Sequence, residues 1–463
     1  MQMFPAYWEN RHLEYSPFLM KNIEKERITM IKKYRTIHAM AYPILLNYLL
    51  SSVFELLDKA IVGHYSVQGF ALVGVAASFT YAITGALGIL SAAFNIVAAD
   101  EKGKGNASGF EAAFVISKGL SLLIGISFFV LSILGGRCFF QRVYGISEEH
   151  LSELLSYFYP TAFTVVQNML IFQYSAYFRN HLNTKITLYS TIVSTGVNLF
   201  FDFSLVYGVF GLPRLGTAGA AWGSVIGLFA GLLVYQLAYY RHHTISGIRS
   251  QMRDLGRKAA MAKKILNLYP SLLGQELLES TIFVIVVSGT VARLGTEQMA
   301  VYSLLDTVGS TIGLPIYAYA SATQTLALQN AAAGNPTAVR DYMKSGLRLA
   351  YVVILILCVL CGIFSGTLLR LIVSDTALIT AAQRLLWSVF LLQLVKVPYQ
   401  IHMSYLQGIG RERFVFACTA IGTIVASISV ASIGIPTGLS GIFFLMIAEF
   451  AILGIIYLRT YGS

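Results

Sequence analysis

Apolar runs of about 20 residues recur from one end of this chain to the other, each long enough to cross a hydrocarbon core of about 30 Å. Composition points the same way: 56% of the 463 residues are hydrophobic, 12% are charged, and the mean hydropathy is +0.67. A soluble protein carries roughly twice that charged fraction. The reading is all-α, a polytopic membrane protein with about twelve transmembrane helices. The spans are predicted at 38–60, 68–97, 113–135, 156–178, 185–208, 216–239, 263–291, 298–325, 342–366, 381–407, 413–435 and 437–459.

Charge sets the orientation. With the N-terminus inside, the inner segments hold most of the 33 Lys and Arg, from the basic first 36 residues to Arg459. The outer segments hold Arg137, Arg142, Arg214, Arg293, Arg370 and Arg384. Both termini are therefore expected in the cytoplasm, in a cell membrane. The net charge of +11 then describes a basic face meeting anionic lipid, and no partner nucleic acid is expected. No secretory leader is expected in residues 1–36, which read as a cytoplasmic segment, either a short amphipathic helix or a basic tail. Cys358 and Cys361 have a redox-like spacing, but within an apolar run they read as packing residues.

Few polar residues interrupt the runs. Asn198 and Asp202 lie four apart in the fifth span, on one helix face. After a Gly/Pro-bearing turn come Gly219, Ala220, Ala221, Gly223 and Ser224, small residues that let helix backbones approach in lipid. Asp58 lies deep in the first span, at a level similar to that of Asp202 in the outer half. Glu276 and Glu279 share a face of the seventh span, and Lys396 sits in the middle of the tenth. An acid in a membrane seldom persists unless it faces protein or water. The two glutamates read either as ion-pair partners of Lys396 or as contacts for substrate.

The chain also repeats itself. Pro43 recurs as Pro270, Tyr177 as Tyr405, and Gly105-Asn106 as Gly334-Asn335. Two six-helix lobes of the same orientation follow, at 37–239 and 263–463, joined by a cytoplasmic linker at 240–262. Pseudo-symmetric halves around a cleft are what an alternating-access transporter requires. Pro43 and Pro270 are the expected bend points of the first and seventh spans.

The stretch AYPILLNYLLSSVFELLDKAIVG with Pro43, Asp58 and Gly63, the Asn198/Asp202 pair, the tail GTAGAAWGS, the echo at Pro270 and the loop RNHLNTK carry a resemblance. The sequence is similar to the MATE (multidrug and toxic compound extrusion) family from Tyr34 to Leu458. The resemblance implies a cation-coupled antiporter that exports amphipathic, often cationic, organic compounds. Asp58, Asn198 and Asp202 match the family's functional polar cluster, and Ser224 takes a hydroxyl position in the sixth span. Glu279 fits the family's acidic position in the seventh span. Two departures stand out. Lys396 occupies a position where another branch carries an Asp, and an ammonium cannot bind Na⁺. The loop AADEKGKGNAS replaces a shorter turn, and its Asp100 and Glu101 read as solvated or helix-capping.

Two carboxylates in a low-dielectric pocket cannot both stay ionised, so a proton, or Na⁺ at Asp58, Asn198 and Asp202, would relieve their repulsion. Neutralisation from outside would drive the change between open forms as substrate leaves. No cofactor beyond the coupling ion is expected, and the protein reads as a monomer. A flippase for lipid-linked precursors is the alternative, disfavoured because such a cleft needs several Arg or Lys for phosphates. An intramembrane enzyme is disfavoured because no catalytic motif is present.

Overall fold

A computed structural model describes residues 17–242, 255–373 and 375–462, and the described part is helical throughout with short connections. In lipid each backbone N–H and C=O must find its partner within the segment, which is what a helix provides. The first half comprises α1 (Pro17–Tyr65), α2 (Val67–Gly88), α3 (Leu90–Gly103), α4 (Ala107–Arg142), α5 (Glu148–Asn180), α6 (Lys185–Tyr207) and α7 (Thr217–His242). The second comprises α8 (Leu255–Leu277), a π-turn (Leu278–Phe283), α9 (Val284–Ala292), α10 (Thr296–Ala332), α11 (Pro336–Ile363), α12 (Ser365–Ile372), α13 (Thr376–Leu406) and, after a second π-turn, α14 (Glu412–Gly462).

Among the described residues, seven uninterrupted stretches are apolar and long enough to span, and the last, Thr376–Gly462, is 87 residues long. It holds three of the expected spans, broken where Gly410 (φ +85°) and Gly438 (φ +67°) leave helical geometry. Among the described residues, helices α1, α5 and α6 do not stand out by hydropathy. The latter two carry polar residues turned inward, such as Gln167, Gln173, Thr195 and Asp202. The helix of the first span begins at Pro17 and runs on unbroken, so this part of the inner segment is not a separate amphipathic helix. Residues 1–16, and residues 243–254 of the expected linker, lie outside the described residues.

The internal echo has a structural cause. Gly105 and Gly334 both take positive φ, +71° and +72°, and each precedes an asparagine that caps the next helix. Asn106 Oδ1 accepts from Gly109 N at 3.1 Å, and Asn335 Oδ1 accepts from Ala338 N at 3.0 Å. Both caps satisfy an N–H that the first helical turn leaves open. Pro43 lies within α1 and Pro270 within α8.

Polar contacts join the two halves at the end that the charge bias assigns to the cytoplasm. Lys264 Nζ meets Glu101 Oε1 at 2.6 Å, His38 Nδ1 meets Tyr319 OH at 2.7 Å, and Gln329 Nε2 donates to Asn180 O at 2.9 Å. Lys33 pairs with Asp341, and Asn95 Nδ2 donates to Gln324 Oε1 at 3.2 Å. Glu101 is therefore not solvated: it is buried, bonded by Asn106 and Lys264, while Asp100 pairs with Lys104 at 2.6 Å. Its neighbour across the halves was out of reach for a reading of the loop alone.

Candidate functional site

Helices α6 and α7 pack as antiparallel stripes. Ser190, Ser194, Asn198 and Asp202 recur every four residues on α6, and Gly219, Gly223, Gly227 and Gly231 do so on α7. A Cβ on Gly231 would lie 3.0 Å from Ser194 Cβ, and one on Gly227 would lie 2.5 Å from Asn198 Cβ. One on Gly223 would overlap the Asp202 carboxylate and sit 2.7 Å from the Asp202 backbone nitrogen. Ser190 Oγ completes the seam by donating to Gly231 O at 2.9 Å. The glycines make room for polar side chains between two membrane helices. Sequence reading found the head of this stripe and missed Gly227 and Gly231, though the four-residue spacing was there.

The seam closes one side of a cavity of about 300 Å³ in the first half. Ser51, Asp58, Thr164, Ser194, Asn198 and Ser224 are among its lining residues, and among the described residues none of the lining side chains is basic. Asn198 Nδ2 donates to Asp202 Oδ2 at 2.9 Å and to Ser224 Oγ at 3.3 Å. Asp202 itself is fully buried behind Asn198, and its carboxyl is within hydrogen-bonding range of the Asp58 carboxyl. The structure thus brings all four expected residues together from three helices. Two carboxyls in contact, surrounded by hydroxyls and an amide, can hold one proton between them or offer oxygens to one small cation.

Tyr81 borders both this cavity and a larger one of about 610 Å³ between the halves. Glu276 and Glu279 stand on the wall that the second half contributes, and Arg179 stands on the wall of the first. Glu279 Oε1 accepts from Gln275 Nε2 at 2.8 Å and from Tyr399 OH at 2.6 Å. Arg179 bridges the halves by donating to Ser321 Oγ, and within its own half it donates to Asn95 Oδ1 at 3.3 Å. Counting Arg179 as a loop residue had hidden it. The helix runs two residues past the predicted end of the span, which carries Arg179 to the wall of the central cavity.

Lys396 stands in a third cavity, of about 210 Å³, which shares Leu314 and Tyr317 with the central one. Its ammonium sits 4.7 Å from the centre of the Phe450 ring. Among the described residues it forms no ion pair with Glu276 or Glu279. The acids whose field it feels are Asp306, which lines the same cavity, then Glu279 and Glu449. Depth alone had matched Lys396 to the glutamates. The π-turn at Leu278–Phe283 and the direction of each side chain decide the contact instead. Asp306 and Glu449, each a lone acid within an apolar run, were the missed signal.

Two stretches of the chain, residues 43–204 and 271–433, match the family model described as MatE. The chain is 26% identical over 373 residues to the probable multidrug resistance protein YoeA of Bacillus subtilis (strain 168), covering 77% of this chain and 78% of the relative. It is 23% identical over 445 residues to the probable multidrug resistance protein NorM of Thermotoga maritima, covering 93% and 92%. A solved structure described as MATE in the straight conformation superposes with a TM-score of 0.81 at 16% identity, covering 92% of this chain and 95% of that one.

Proposed function

The chain belongs to the MatE family and is a membrane transporter rather than an enzyme, and from that premise we propose that it is a secondary antiporter. It exports amphipathic, mainly cationic, organic compounds across the cell membrane in exchange for H⁺ or Na⁺, and works as a monomer with both termini in the cytoplasm. The observation that carries the reading is the contact between the Asp58 and Asp202 carboxyls beside a hydroxyl-lined cavity. A buried pair of this kind must be neutralised to persist. Loading it from the outer side and emptying it to the inner side gives the cycle a direction. Two carboxyls in hydrogen-bonding range favour the proton over Na⁺, since a single shared proton removes their repulsion.

The central cavity supports an organic cation as cargo. It sets two glutamates, Glu276 and Glu279, against one arginine, which already bridges the halves. A flippase for phosphate-bearing lipids would need the opposite balance. The test is uptake of an organic-cation dye into inverted vesicles under a pH gradient alone and a Na⁺ gradient alone. Uptake driven by the pH gradient supports proton antiport, uptake driven only by Na⁺ moves the assignment to that ion, and uptake driven by neither refutes the antiport.

A further inference from the structure

The last two spans, the two arms of α14, leave a groove of about 450 Å³ between them. Its walls are aliphatic, with Ile421, Val425, Ile452 and Ile456 among them, and three of these side chains are exposed: Ile421 65%, Val425 56% and Ile452 59%. In a membrane protein such a surface faces the acyl chains. At the base of the groove stands Glu449, which is 7% exposed. Thr423 Oγ1 donates to its Oε1 at 2.9 Å, while Oε2 is buried and has no hydrogen-bond partner. A buried carboxyl oxygen left open costs free energy that a donor would recover.

We propose that this groove is a binding site for lipophilic primary or secondary amines arriving from the bilayer. The aliphatic walls hold the chain of the ligand, and a turn of the Glu449 carboxyl, whose Oε2 is enclosed in this structure, brings that oxygen to its nitrogen. The chemistry selects an amine because amine and carboxyl share one proton whichever of them carries it, and an N–H then completes the open position. A neutral lipid chain leaves Oε2 bare, and a quaternary ammonium brings charge but no hydrogen to donate. The site shares no lining residue with the three cavities above and faces a different solvent, although Glu449 is among the acids whose field Lys396 feels. Its occupancy does not depend on the transport reading.

The experiment uses the full chain in lipid nanodiscs, which have no compartments, so binding is read apart from export. The probes are diazirine-tagged dodecylamine, its N,N,N-trimethyl analogue and dodecyl methyl ether, which has no hydrogen to donate, and labelled peptides are mapped by mass spectrometry. The amine should label the α14 segment roughly tenfold more than either analogue, the factor expected of one hydrogen bond to a charged group. Glu449→Gln should remove that preference, and Ile452→Trp, which fills the groove without touching the carboxyl, should remove the labelling. Equal labelling by all three probes would overturn the proposal, as would undiminished amine labelling in a Glu449→Gln protein that melts like the wild type. If Glu449→Gln does not fold, unchanged labelling of Ile452→Trp overturns it.

Discussion

Gly223 on α7 faces Asp202 on α6 so closely that any side chain there would overlap the carboxylate. The glycine stripe is thus part of the site, because it sets how near α7 comes to the acid and its asparagine. Gly223→Ala should push the helices apart or turn Asp202 aside, at a cost of about 1–3 kcal/mol for overpacking. Gly196, on the same α6, has nothing within 4 Å of its Cβ position, so Gly196→Ala is the control. Melting temperature in detergent and dye efflux should fall for Gly223→Ala and hold for Gly196→Ala. Equal behaviour would mean that the stripe only pads the interface.

The paired caps give a second expectation. Asn335→Ala removes one cap bond and should cost about 1 kcal/mol. Asn106→Ala removes the same bond and also a donor to the buried Glu101, so it should cost more. Melting temperatures of the two variants check the order. A larger loss at Asn335 would contradict it.

Lys396 supplies a third. Its cation lies near several acids without pairing to one, so Lys396→Met should lose less than the about 3–5 kcal/mol of a broken buried pair. Asp306→Asn should recover more of that loss than Glu276→Gln, because Asp306 shares the cavity with Lys396. Thermal stability of the single and double variants measures this. Strictly additive losses for Lys396 and Asp306 would show that the two do not interact.

Much of this was legible in the chain. Length and apolarity marked the spans, and the echo of Gly105-Asn106 at Gly334-Asn335 pointed to the shared cap. Asn198 and Asp202 could be joined because a helix fixes their relation locally. Contacts across helices were harder. Depth along a span follows from residue count, but the direction of a side chain around the axis does not, and Lys396 was misjudged for that reason. Arg179 and Glu101 read as loop residues in the sequence because their partners Ser321 and Lys264 come from the other half.

The central claim rests on Asp202, and the most direct measurement is organic-cation uptake into proteoliposomes driven by an imposed pH gradient. Wild-type protein should accumulate the cation. Asp202→Asn keeps the shape and the bond to Asn198 but cannot take up or release the proton, so it should give no uptake above protein-free liposomes while melting near the wild-type temperature. Uptake by Asp202→Asn at the wild-type rate would contradict the account and remove the carboxyl pair from the mechanism.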